Sequence, residues 1–104
     1  MGYPPAPSNI GNRRAAKTPS GKLFFYAIED EIYIPQSGKP HKLIYLQRLV
    51  FETDGRVELR LGYYVIGKKP AMRGRWVWGQ FATMIPLGDF RSVIHRAERK
   101  GWLS

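Results

Sequence analysis

Hydrophobic and polar positions alternate most regularly between Arg56 and Gly67. In RVELRLGYYVIG, Val57, Leu59, Leu61, Tyr63 and Val65 fall on one side and Arg56, Glu58, Arg60 and Tyr64 on the other. That period of two marks a strand with one face in the core and the other wet. Upstream, KLIYLQRLVFE reads as a long strand, joined to this one through Thr53, Asp54 and Gly55. Asp-Gly supplies the positive φ angles that a tight hairpin needs. LFFYAI and EIYIP read as short strands separated by Glu29, Asp30 and Glu31. Pro35 ends the second, because it cannot donate to a ladder, and QSGKPHK follows as a loop.

Downstream, RWVWGQFATMI places Trp76 and Trp78 on one side of a further strand and Val77, Phe81 and Ile85 on the other. Both sides are apolar, so periodicity does not orient it. A helix is predicted from about Pro86, with Asp89 near its positive end and Phe90, Val93, Ile94 and Ala97 as one apolar stripe. Gly101 stops it, and Trp102 and Leu103 fold back onto the sheet. The order predicts an α+β domain, an antiparallel sheet of about four strands with one C-terminal helix over one face.

A chain of 104 residues makes one such domain. Residues 1–21 are rich in Pro, Gly, Ser and Ala and carry cations without acids, which predicts a flexible basic arm. It is either a passive tail or a source of extra phosphate contacts. The folded ββββα unit then spans 22–104. Seventeen Lys and Arg against eight Asp and Glu give a formal charge of +9, which favours polyanionic partners. No apolar run approaches the roughly 20 residues of a spanning helix. With no cysteine and no signal-like start, the expected setting is soluble and intracellular, cytoplasmic or beside the nucleoid.

The candidate chemistry is recognition. Lys68, Lys69, Arg73 and Arg75 crowd a Pro- and Gly-bearing loop immediately before the tryptophan strand. Mobile cations beside flat rings suit a single strand, whose phosphates need charge and whose bases need π faces. Trp76 and Trp78 serve as stacking platforms if Val77, Phe81 and Ile85 meet the helix. Otherwise they are core or dimer-interface residues. Tyr64 lies on the wet side of the preceding strand. No nucleophile with a base, metal-ligand set or phosphate loop is present, and His41 and His95 read as surface or boundary residues. Glu52, Asp54 and Glu58 straddle a hairpin and make a poor nuclease site. No cofactor or small-molecule substrate is expected.

From Arg56 onward, RVELRLGYYV, the loop KKPAMRGR and TMIPLGDFRSVIHRA resemble the single-stranded-DNA-binding domain of the positive cofactor four transcriptional coactivators and their bacterial relatives. The resemblance covers about half the chain, and Phe90 fits the aromatic near the start of that family's helix. WVWGQFA and PQSGKPHK depart from the pattern. The resemblance implies a curved four-stranded sheet with a C-terminal helix, homodimeric assembly, and binding of single strands without strong sequence preference. It also implies phosphate contacts from Arg60, Lys68, Lys69, Arg73 and Arg75. The rival class is a protein-interaction module, a small phage or bacterial regulator whose aromatic strand pairs with a partner.

Overall fold

The computed structural model describes residues 2–104. Five strands form one antiparallel meander in chain order: β1 (Arg13–Lys17), β2 (Leu23–Gln36), β3 (Lys39–Phe51), β4 (Val57–Ile66) and β5 (Trp76–Trp78). Helix α1 (Leu87–Arg99) follows, and the sheet curls into a half-barrel. The α+β reading therefore holds, with one strand more than expected.

The extra strand comes from the segment read as an arm. Arg13–Lys17 pairs with Leu23–Ala27, although every residue of β1 is exposed. Its order rests on main-chain bonds to the edge of β2 and on contacts such as the Arg13 guanidinium 3.9 Å above the Phe25 ring. RRAAK carries no apolar alternation, so nothing in its side chains announces a strand.

LFFYAI and EIYIP are one 14-residue strand rather than two. The acidic patch is absorbed by a bulge at Glu29, where the register shifts between Ile28 and Asp30. A bulge adds twist without ending pairing, so the chain bends through the charges and continues. Pro35 does not stop β2 either; the turn is Ser37-Gly38, with Gly38 at φ 76°, and Lys39 already belongs to β3. The β3–β4 hairpin closes where expected, with Phe51 N–H donating to Arg56 O, but Gly55 alone takes a positive φ, 72°, and Asp54 does not.

Helix α1 packs on β2 and β3. Val93 and Ala97 meet Ile32, Ile34, Ile44 and Leu46, with Ile85 and Trp102 against the edge of that cluster. Each fully buried aliphatic of this kind contributes about 1.5–3 kcal/mol. The helix start is tied to the β2–β3 turn, because the Asp89 carboxylate accepts from Ser37 N–H at 2.7 Å and Ser37 Oγ at 2.5 Å. Its end is a Schellman turn: Gly101 at φ 78°, Gly101 N–H to Glu98 O and Trp102 N–H to Ala97 O. Phe90 and Leu103, both read as packed, are exposed.

The wet-and-dry reading of β4 holds for Arg56 and Glu58, which are exposed, but fails for Arg60 and Tyr64 and for the leucines. Leu61 pairs with Leu46 on the helix side of the sheet, but α1 does not reach it, and Leu61 is 41% exposed. Val57 and Leu59 on the same side are exposed as well. The opposite side, with Arg60 and Tyr64, faces the hollow of the half-barrel and is packed. Curling makes one face concave, and its side chains converge on one another whatever their polarity. A second buried cluster of Tyr26, Ile28, Leu49 and Phe51 lies at one end of that hollow.

Candidate nucleic-acid interface

The eight residues singled out from the sequence separate into two groups. Arg60, Tyr64, Trp76 and Trp78 stand on the concave face, opposite the helix. Lys68, Lys69, Arg73 and Arg75 stand in the β4–β5 connection, all exposed.

The concave group is engaged internally. Trp78 lies over Gly62, where any Cβ would come within 2.2 Å of its ring. It packs edge-on to Tyr64, with centroids 5.0 Å apart, and to Tyr45 at 6.3 Å, and the Arg60 guanidinium sits 5.1 Å above it. Arg60 is committed to the same interior. Its Nε and Nη2 donate to Gln47 Oε1 at 2.9 and 2.7 Å, and its Nη1 donates to Tyr26 Oη at 2.6 Å. Gln47 in turn donates to Glu31. These bonds hold the Arg60 guanidinium against the concave face, away from the four loop cations with which the resemblance groups it. Tyr64, read as wet, donates from Oη to Asn9 Oδ1 at 3.1 Å.

Trp76 is not open either. Its Nε1–H donates to Pro4 O at 2.8 Å, and Tyr3 meets it edge-on at 5.7 Å. Residues 3–9, expected to be free, cross the concave face, where Tyr45 Oη donates to Pro7 O at 2.7 Å and Asn9 N–H donates to Glu31. Burial and then the Glu31 charge push the Tyr45 phenol up, so it remains a donor at neutral pH. The tryptophans thus lie on the side that stacking required, but that side is filled.

The basic loop is better ordered than a flexible turn. A 3-10 turn at Pro70–Met72 is closed by Met72 N–H to Lys69 O and by Gly67 N–H to Arg75 O at 2.8 Å. Gly74 takes φ 77°, which suits glycine. None of the four cations pairs with a carboxylate among the described residues, whereas Arg13, Arg48, Arg56 and Lys100 all do.

Beside this loop, on the helix side of the sheet, is a cleft of about 690 Å³. His41, Tyr63, Lys68, Lys69, Trp78 and Phe81 are among the residues that line it. Tyr63 is positioned by the backbone. Its ring lies against Gly79, where a Cβ would come within 1.9 Å, and Gly79 N–H donates to Tyr63 O. Lys42 Nζ is 4.8 Å from the same ring and donates to Thr83 Oγ1. Burial, followed by the Lys39 charge, lowers the Lys42 pKa. Phe81 is 83% exposed, its ring free on one wall.

Tyr63 and Phe81 were missed as contact residues because period two assigned both to the core. The signal that pointed to Tyr63 is Gly79, a glycine without positive φ that leaves room for its ring; Phe81 carries no such signal. Glu52 pairs with Arg13, and Asp54 and Glu58 both pair with Arg56. Glu52 is held below its ordinary range chiefly by its bond from Arg13, and Asp54 by the Arg56 amide. Among the described residues no three His, Asp or Glu side chains converge as a metal site. No known protein family, curated protein or solved structure matches the chain. No helix among the described residues is long and apolar enough to cross a membrane.

Proposed function

We propose that the protein is a noncatalytic module that binds single-stranded nucleic acid, DNA in preference to RNA. Lys68, Lys69, Arg73 and Arg75 hold phosphates, and bases stack on Tyr63 and Phe81. The observation that carries the proposal is the adjacency of unpaired cations and accessible rings in one cleft, with Lys68 and Lys69 on the wall that Tyr63 and Phe81 complete. Phosphates need the first and base faces need the second. The preference for DNA rests on the family resemblance. This moves stacking from Trp76 and Trp78 to Tyr63 and Phe81, with Trp78 also reaching the lining of the cleft.

Homodimeric assembly belongs to the same reading. Val57, Leu59 and Leu61 form an apolar row on the helix side of β4 that the helix leaves uncovered, and a second copy would bury it. The same row supports the rival reading, a protein-interaction module. The cation-lined cleft favours nucleic acid.

The test is titration of labelled oligothymidine into wild type and Phe81→Ala. A stacked base is worth about 1–3 kcal/mol, so the variant is expected to bind roughly 5- to 150-fold more weakly. Its thermal stability should hardly change, because the ring is mostly exposed. Equal affinities would remove the cleft from the site.

A further inference from the structure

The N-terminal segment is seated on the concave face as a ligand would be. Its sequence Pro4-Pro5-Ala6-Pro7 is a Pro-x-x-Pro unit. Proline fixes φ near −65° and biases the residue before it away from the helical region, so Tyr3–Pro7 favours the left-handed polyproline helix before any contact forms. That helix has three residues per turn, which turns the carbonyls of Pro4 and Pro7 toward the same side.

Those two carbonyls are the ones the face reads. Trp76 Nε1–H donates to Pro4 O and Tyr45 Oη–H donates to Pro7 O. Tyr3 completes the contact against the edge of the Trp76 ring, and Pro7 is half-buried. The platform is aromatic throughout: Tyr33 stacks on Tyr45 with centroids 5.2 Å apart, and Tyr64 and Trp78 flank Tyr45. Indole and phenol donors on a floor of rings are how proline-rich segments are recognised, because the preformed helix loses little entropy on binding and its bare carbonyls need donors.

We propose that the concave face is a receptor for Pro-x-x-Pro segments, occupied here by the chain's own Pro4–Pro7 and able to take such a segment from a separate protein. The carbonyl-reading groups Trp76 and Tyr45 lie on the opposite face of the sheet from Tyr63 and Phe81, and Trp78 is shared with the lining of the nucleic-acid cleft; peptide binding read at Trp76 and oligothymidine binding lost in Phe81→Ala test the two sites separately. The resident segment defines the chemistry of the partner: extended, proline-rich, with an aromatic before the first proline. It also sets a threshold. A tethered ligand acts at an effective concentration in the millimolar range, and an incoming segment must compete with it.

The experiment uses the full chain and a synthetic peptide copying residues 2–9, which contains no tryptophan. In the variant Pro4→Gly/Pro5→Gly/Pro7→Gly the arm loses its preformed helix. This variant is expected to bind the peptide saturably, read from the Trp76 indole N–H signal, about tenfold or more tightly than wild type does. Adding Tyr45→Phe should weaken that binding severalfold, and a peptide with both Pro4 and Pro7 replaced by alanine should bind about tenfold less. If the triple variant fails to fold, excess wild type must still bind a peptide fluorinated on its tyrosine, read from the fluorine signal of the peptide, because exchange of identical segments leaves Trp76 in the same surroundings. No saturable shift at millimolar peptide, or equal binding of the alanine peptide, overturns the proposal. A dimer that forms at high concentration and is abolished by the three glycine substitutions would assign the groove to a second copy and also overturn it.

Discussion

Gly62→Ala is expected to destabilise the fold, against the usual sign of such a change. Gly62 sits mid-strand in β4, opposite Tyr45, and its φ is not positive. An alanine would therefore ordinarily stabilise by about 0.4–1 kcal/mol through the unfolded chain. The added Cβ, however, falls 2.2 Å from Cζ2 and 2.3 Å from Cη2 of Trp78. The ring cannot step aside freely, because Tyr45, Tyr64 and Arg60 enclose it. Overpacking costs about 1–3 kcal/mol, and each aromatic pair that is lost costs about 0.5–1.5 more. The net expectation is a loss of roughly 2–4 kcal/mol, measured by urea unfolding followed by circular dichroism. In a Trp78→Ala background the same substitution should be neutral or stabilising. A Gly62→Ala variant within about 0.5 kcal/mol of wild type would refute the placement of Trp78 over Gly62.

Three other outcomes follow from the same geometry. Asp89 is held below the ordinary aspartate range first by the Ser37 hydroxyl and then by the Ser37 amide; its contribution is present above the unfolded pKa and lost as pH falls through the folded one. Asp89→Asn should therefore flatten the loss of stability below about pH 4 in acid titrations of thermal unfolding, and an unchanged acid limb would contradict the tie. Lys68→Ala with Lys69→Ala should weaken all single-stranded oligonucleotides alike and bring the salt slope from about −2.8 to about −1.4, as two of four phosphate contacts go. Light scattering should give a dimer for wild type and a monomer for Leu61→Glu; a monomeric wild type would contradict the proposed assembly, and a variant of unchanged dimeric mass would place the contact elsewhere.

The strands and the helix were legible where the periodicity was carried by burial. The β3–β4 hairpin announced itself through Asp54-Gly55, and α1 through Val93 and Ala97. What sequence did not reveal has common causes. The Glu29 bulge let β2 pass through an acidic patch that looked like a break. The main-chain pairing of Arg13–Lys17 leaves no side-chain pattern. Above all, a curled sheet buries its concave face, so Arg60 and Tyr64 are packed while Leu59 and Leu61 are exposed, and a period of two fixes only which residues share a face. The basic loop was visible because exposed charge depends little on tertiary detail. The rings beside it were not, because Tyr63 and Phe81 differ from core aromatics only in what covers them.

The central claim is that four unpaired loop cations and a neighbouring aromatic cleft bind single strands. It is tested most directly by the salt dependence of oligothymidine binding, with duplex of equal length as the comparison. Four phosphate contacts at about −0.7 each give a slope of about −2.8 in log K against log salt, a loss of roughly fiftyfold between about 50 and 200 mM. Single strand should be bound more tightly than duplex at both concentrations, because only unpaired bases can reach Tyr63 and Phe81. A slope shallower than about −1, or a preference for duplex, would contradict the claim.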